Sequence, residues 1–238
     1  VISIIKRIGI SAAFMALATS AFAVAPDFMD KLTADSRPMQ DRARDGARRP
    51  YQVMQLLGVE AGMTAIDVGA GGGWYTRVLS AAVGPEGHVI AQFGPRALQR
   101  ENGATQREMA ASLGNVEASF EEMGDIPADS ADVAVTGLNI HHFNAERGVP
   151  YMRDLFNVLK PGGRAAIIDH VGSPDIDNSR LHRMVPRDAR EWIEAAGFRI
   201  VEESDILRST ADNHTMPTND PRLGRNSDRF LFIVQKPE

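Results

Sequence analysis

Four glycines fall within five positions of "AIDVGAGGGWYTRVLS", residues 65–80: Gly69, Gly71, Gly72 and Gly73, with Asp67 two residues ahead of the first. Glycine at that density lets the backbone approach a bound group closely. An acid at the start of such a loop can hold an ammonium group, directly or through water. The second store of chemistry is the histidines. His141 and His142 are adjacent, His170 follows Asp169 directly, and His182 and His214 come later, with Asp205 and Asp212 nearby. An imidazole titrates near neutral pH, so His142 or His141 suits removing a proton from an attacking hydroxyl, amine or thiol, with Asp169 to orient it. Imidazole with carboxylate also suits a divalent Zn, Fe, Ni or Cu ion. The spacing H-x-E-x-x-H is absent and the candidates lie on separate segments, so no metal ligand is assigned. With no cysteine in the chain, thiolate sites and disulfides are excluded.

These residues need elements to position them. The periodicity predicts a polar lead-in over 24–38, a helix over 40–57, and a buried strand over 64–68. A helix over 74–83, a strand over 88–93, a charged helix over 97–113 and a strand over 116–120 follow. Further strands are expected over 133–137, 164–169, 198–203 and 230–235, with helices over 145–159 and 187–196. Strands alternating with helices imply an α/β domain with a doubly wound, mostly parallel, Rossmann-like sheet of seven strands. The last two strands have no helix between them and form an antiparallel pair. Ligands of such sheets sit beyond the carboxyl ends of the strands. That edge collects His141, His142, His170, His182 and His214 and leaves only His88 elsewhere. We expect His170, His182, His214 and Tyr75 on the substrate side. Trp74 and Tyr75 either wall a pocket or pack in the core.

The glycine loop excludes two ligands. A P-loop needs Lys-Ser or Lys-Thr after its glycines, and none follows. A dinucleotide fingerprint needs a third glycine where this chain has Trp74. The remaining pattern, Asp67-x-Gly69-x-Gly71-x-Gly73, suits a nucleoside whose amino-acid tail lies across the loop.

The same stretch resembles motif I of the class I S-adenosylmethionine (SAM)-dependent methyltransferases. "EEMGDIPADSADVAV", "LNIHHF" and "LFNVLKPGGRAAIIDH" resemble later segments of that fold. "RRPYQVMQLLGVEAGM", "LHRMVPRDAREWIEAAGFRIVEESDILRSTADNHT" and "DRFLFIVQKP" are similar to a bacterial family of exported proteins predicted to be methyltransferases. The resemblance implies SAM as cofactor and methyl transfer to a small-molecule acceptor. It implies that Gly69, Gly71 and Gly73 line the methionine part of SAM and that Asp67 holds its ammonium end. Glu122 would face the adenine amino group, with Asp125 as the other choice, Met123 would lie against the ring, and Asn139 would join them. The chain departs from the fold's pattern after the second strand: Gln92 and Phe93 stand where an acid usually binds the ribose hydroxyls. That departure keeps two other functions open, an exported non-catalytic binder of a nucleoside or metal, and a metal-dependent enzyme that does not transfer methyl groups.

The N-terminal stretch has Lys6 and Arg7, an apolar run and Ala21-Phe22-Ala23, which read as a signal peptide over 1–23. We therefore expect a periplasmic or secreted protein, with one domain over 24–238 opened by a helical lead-in to about residue 60, and no stable membrane insertion once the leader is cut. The net charge of −5 supplies no basic field for nucleic acid. The densest basic cluster, "RARDGARRP", reads as a solvated helix face. The polar connection over 204–228 is long enough to be a lid carrying Asp212, Asn213 and His214. Arg183, Arg208 and Arg229 could clamp an acceptor's carboxylate or phosphate, or make ordinary ion pairs.

Overall fold

The structure, a computed structural model, describes residues 23–238. The expected signal peptide lies outside the described residues except for its last position. Seven strands form one sheet in the order β3-β2-β1-β4-β5-β7-β6. Strand β1 (Thr64–Val68) is central and pairs in parallel with β2 (His88–Gln92) and β4 (Ala131–Gly137). Strands β3 (Val116–Ser119) and β5 (Leu159–His170) extend the parallel part outward. Strand β7 (Arg229–Gln235) is antiparallel to both β5 and β6 (Arg199–Ser204). The expected α/β fold and the antiparallel end are both present.

Alternation along the strands sends side chains to two cores. Ala65, Val89 and Val135 face helices α1 (Phe28–Thr33), α3 (Pro50–Leu57) and α4 (Trp74–Val83), through Phe28, Met54 and Leu79. Ile66, Ala134 and Ile167 face α6 (Ala145–Val158) and α8 (Pro186–Ala195), through Met152, Leu155 and Ile193. Covered on both faces, β1 is an uninterrupted buried run apart from its first residue, as central parallel strands require.

Three expected helical segments differ, and β5 begins at Leu159 rather than at residue 164. The lead-in holds α1, because Phe28 and Leu32 at helical spacing bury against the core. The helix expected over 40–57 is two helices, α2 (Met39–Arg48) and α3, broken at Arg49, whose φ of 44° is left-handed. Pro50 has no N–H to continue the ladder and disfavours helical geometry in the residue before it. The helix expected over 97–113 survives only as α5 (Ala104–Ala111), after two short 3-10 turns. Gly103 ends the second turn with φ of 70°, and a Cβ there would meet the Phe120 ring at 2.5 Å. Among the described residues no helix is long and apolar enough to cross a membrane.

Candidate functional site

Because β1 to β5 are parallel, the segments leaving their carboxyl ends meet along one edge. The first is the glycine loop. Gly69, Gly71 and Gly73 all have positive φ, the conformation only glycine takes freely. The loop is tied to its neighbours by Gln92. Its Oε1 accepts from the Gly69 N–H at 3.0 Å, and its Nε2 donates to the Glu121 carbonyl at 2.9 Å. An aspartate or glutamate could accept the first bond but not donate the second. Gln92 is therefore a brace between three strand ends. Asn139 braces the other side by donating to the Val68 carbonyl at 2.8 Å.

Beside this loop runs a cleft of about 790 Å³, within the range of small-molecule and cofactor sites. Gly69, Gln92, Phe93 and Asn139 line one part of it, and Glu122 and Met123 another. Phe93 stacks with Phe120 at 5.8 Å between centroids, giving an apolar wall. His142, Tyr151 and Asp154 complete the far side. Burial and the neighbouring Asp125 and Glu122 carboxylates hold the Asp154 carboxyl above its ordinary value.

The expected SAM fits this cleft at its two ends. A Cβ on Gly72 would meet nothing within 4 Å, and one on Gly71 would meet only the Gly69 carbonyl at 3.8 Å, so the loop has open space beside it. Met123 is buried and can back a base, and Glu122 is exposed in the cleft. The ribose position lacks a free carboxylate, since both ends of the Gln92 amide are engaged.

Asp67 lies beneath the loop rather than on the cleft wall. It is 2% exposed and accepts from the Thr76 hydroxyl at 2.6 Å. Burial pushes its pKa up to about 7, with the Thr76 bonds and Arg48 pulling the other way. Tyr75 belongs to the core. It meets Trp74 edge-on at 4.6 Å, and burial raises its hydroxyl to about 12.

The second half of the edge is built from histidines. His141 and His142 form a 3-10 turn after β4, and His182 sits in a turn after the short helix α7 (Asn178–Leu181). Ring centroids lie 4.1 Å apart for His141 and His142, 5.5 Å for His141 and His182, and 5.6 Å for His142 and His182. One ligating nitrogen from each of the three can be chosen so that all lie within 4.8 Å of one another. Asp169, fully buried at the end of β5, accepts from the His141 backbone N–H at 2.9 Å and pairs with His141 Nδ1 at 2.8 Å. The His142 imidazole is held below its ordinary pKa by burial and by the adjacent His141 and His182. His170 is near His141, 6.0 Å between centroids, but its Nδ1 is bonded to the Ser227 hydroxyl at 2.8 Å. Burial, with Arg229 beside it, lowers its pKa to about 2.

Buried ion pairs hold this half in place. Arg183, 1% exposed, donates to the Asp212 carboxylate at 2.9 Å, to the Val171 carbonyl at 2.9 Å and to the Met216 carbonyl. Asp228 accepts from Arg208, from the Ser209 N–H and pairs with His214 Nε2 at 2.9 Å. The connection over 204–228 is therefore strapped down, not poised as a lid. Asp212 and His214 are part of the strap, and Arg183 and Arg208 are committed to carboxylates. Arg229 differs. Its terminal nitrogens donate to the Ala47 and Arg225 carbonyls, and its Nε has no partner among the described residues. With Arg44, Arg48, Arg225 and His170 it lines a cavity of about 340 Å³.

That cavity corrects the reading of "RARDGARRP" as a solvated face. Within the cluster, Asp45 pairs with buried Arg37 and the Arg48 guanidinium lies 4.8 Å from the Trp74 ring centroid; just ahead of it, Asp41 is 3% exposed and pairs with Arg77 at 3.0 Å. Spacing alone also misses Thr76, which meets Asp67, and the anchoring role of Arg183, whose partner Asp212 is remote in the chain. A further cavity of about 680 Å³, lined by Lys31, Arg37, Arg77, Ser80 and Asn115, holds neither the glycine loop nor the histidines.

A family model described as a methyltransferase domain matches residues 59–217. An arsenite methyltransferase from Halobacterium salinarum is 32% identical over 163 residues, which are 63% of this chain and 40% of that protein. A demethylmenaquinone methyltransferase from Listeria welshimeri is 29% identical over 121 residues, 50% of this chain and 49% of that protein. The chain thus spans about half or less of these two curated relatives. A SAM-dependent methyltransferase from Aquifex aeolicus superposes with a TM-score of 0.60 at 23% identity, covering 89% of this chain and 98% of that one, and shows the same fold.

Proposed function

The chain belongs to the methyltransferase domain family, and we propose that it is a SAM-dependent methyltransferase acting on a small-molecule acceptor. The observation that carries this reading is the cleft of about 790 Å³ that begins at the Gly69 backbone and ends against His142. The cofactor and the acceptor side chemistry share one wall.

Gly69, Gly71 and Gly73 would carry the amino-acid end of SAM, with Asp67 behind them. Glu122 and Met123 would carry the adenine end, and Phe93 and Asn139 the middle. Bound SAM supplies an electrophilic methyl on its sulfonium. The chain's own contribution is to hold the acceptor in line with that methyl, which is where most of the rate comes from in such a transfer. In the metal-free chain, His142 is the side chain we assign to the acceptor's proton, and Asp169 positions its neighbour His141. The arginine-lined cavity beside His170 favours acceptors that carry a carboxylate or phosphate, because a buried guanidinium without a carboxylate partner is stabilised by an anion. We also infer an exported protein, from the leader-like N-terminal residues 1–23 alone.

Calorimetric titration of the full chain with SAM, S-adenosylhomocysteine and NAD tests the reading. Saturable binding of the first two and not of NAD is expected. A folded chain that binds none of the three would overturn it.

A further inference from the structure

His141, His142 and His182 come from two segments some forty residues apart in sequence, yet their ligating nitrogens gather within 4.8 Å. Three imidazoles do not cluster for their own sake. Each is a polar ring, and together they carry no mutual hydrogen bond. The structure also commits specific features to keeping them there.

His182 has a left-handed φ of 53°, a turn that histidine adopts more readily than most side chains. The turn is held from the next residue: buried Arg183 is bonded to Asp212, Val171 and Met216, so His182 is delivered over His141 and His142. On the other side, His141 is fixed through its Nδ1 by the fully buried Asp169, which leaves Nε2 as its outward nitrogen. A carboxylate behind a histidine in this way fixes the ring and strengthens it as a ligand in metal sites.

We propose that His141, His142 and His182 bind one divalent transition-metal ion of the Zn²⁺ type, with Asp169 as the positioning carboxylate behind His141. Three imidazoles with one position left open is a ligand set that suits zinc. Zinc–nitrogen bonds of about 2.0–2.1 Å in a tetrahedral arrangement put ligand nitrogens about 3.4 Å apart. Separations of up to 4.8 Å need to close by at most about 1.4 Å, which rotation of the exposed His142 and His182 side chains allows. The open position would take water, or a hydroxyl or thiol of a small molecule, and since His142 also lines the cleft the ion would sit beside it. Hard cations such as Mg²⁺ favour oxygen ligands and are not expected here. The site stands on these residues and does not depend on methyl transfer.

The test is Zn²⁺ titration by calorimetry on the full chain carrying no histidine tag, with the Co²⁺ absorption spectrum as a second readout. One ion per chain and a four-coordinate Co²⁺ spectrum are expected, undisplaced by Mg²⁺. His142→Gln and His182→Gln, both at exposed positions, should abolish saturable binding while leaving the thermal unfolding midpoint of the metal-free chain unchanged. Asp169→Asn should weaken it by about 10–100-fold. His88→Gln, remote from the site, should bind as the parent does. Absence of saturable Zn²⁺ binding in the folded parent, or equal binding in His142→Gln and His182→Gln, would overturn the proposal.

Discussion

The two halves of the sheet edge are built on opposite principles. The glycine half presents backbone: positive-φ glycines, open space beside Gly71 and Gly72, and side chains such as Gln92 and Asn139 that serve as braces. The histidine half presents side chains, and it holds them with charges taken out of water. Arg183 and Asp212 are both fully buried, and Asp228 and Asp169 are nearly or completely so. The first half is cheap to position because its conformation is written in neighbouring residues. The second depends on long-range ion pairs, each costly to break. The two halves should therefore fail differently, one in binding and the other in stability.

The largest expected effect is on the histidine half. Asp212→Ala leaves Arg183 charged and buried without its partner, a loss of about 3–5 kcal/mol. Urea unfolding should show it, along with His182 released from its neighbours. A loss below about 1 kcal/mol would mean that the strap does not hold this half.

The next effect lies beneath the glycine half and is read through pH. Asp67 keeps its proton to about pH 7 when folded, against an ordinary value of 3.8. Between those values the folded state binds more protons than the unfolded one. Stability contributed by this group is present at low pH, falls as pH rises through that window, and is level above it. Asp67→Asn can still accept the Thr76 hydroxyl and should flatten the fall. Parallel stability–pH curves for parent and variant would contradict the buried, protonated carboxyl.

Gly71→Val should separate binding from folding. Valine at a φ of 53° is strained by about 1–3 kcal/mol, and its side chain occupies the open space beside the loop. SAM affinity should drop by at least about tenfold, or 1.4 kcal/mol, in a chain that still folds. The smallest effect is expected from Gln92→Glu. It keeps the acceptor for Gly69 but loses the donor to Glu121, at a cost of about 1 kcal/mol in thermal or urea unfolding. An unchanged midpoint would mean that the amide is not the brace described here.

The same contrast explains what the sequence revealed. Strand β1 and helix α4 start and stop where the pattern places them, because a buried apolar run, a glycine loop and a flanking glycine are all local. The parallel part of the sheet and the antiparallel pairing of β6 with β7 follow from alternation and from the missing helix, whereas the insertion of β7 between β5 and β6 does not. Gly103 against Phe120 was not legible: the contact that ends the turn before α5 joins residues from different strands' connections. Pro50 is visible in the sequence, but the helical spacing on both sides of it masks its power to divide α2 from α3. At the site, Gly69, Phe93, Met123 and His142 line one cleft. Asp67 and Tyr75 turned inward because Thr76 and Trp74 offered them buried partners. His182 could be listed as an edge residue from sequence, but its meeting with His141 and His142 depends on Arg183 reaching Asp212, 29 residues away. His214 was drawn away by Asp228 in the same network.

The most direct measurement is the calorimetric affinity for SAM of three proteins side by side: the parent chain, Gly71→Val and His182→Gln. An edge with separable halves predicts saturable binding in the parent, the same affinity in His182→Gln, and its loss in Gly71→Val. Binding that survives in Gly71→Val, or that disappears in a folded His182→Gln, would contradict the division of this edge into a cofactor half and an acceptor half.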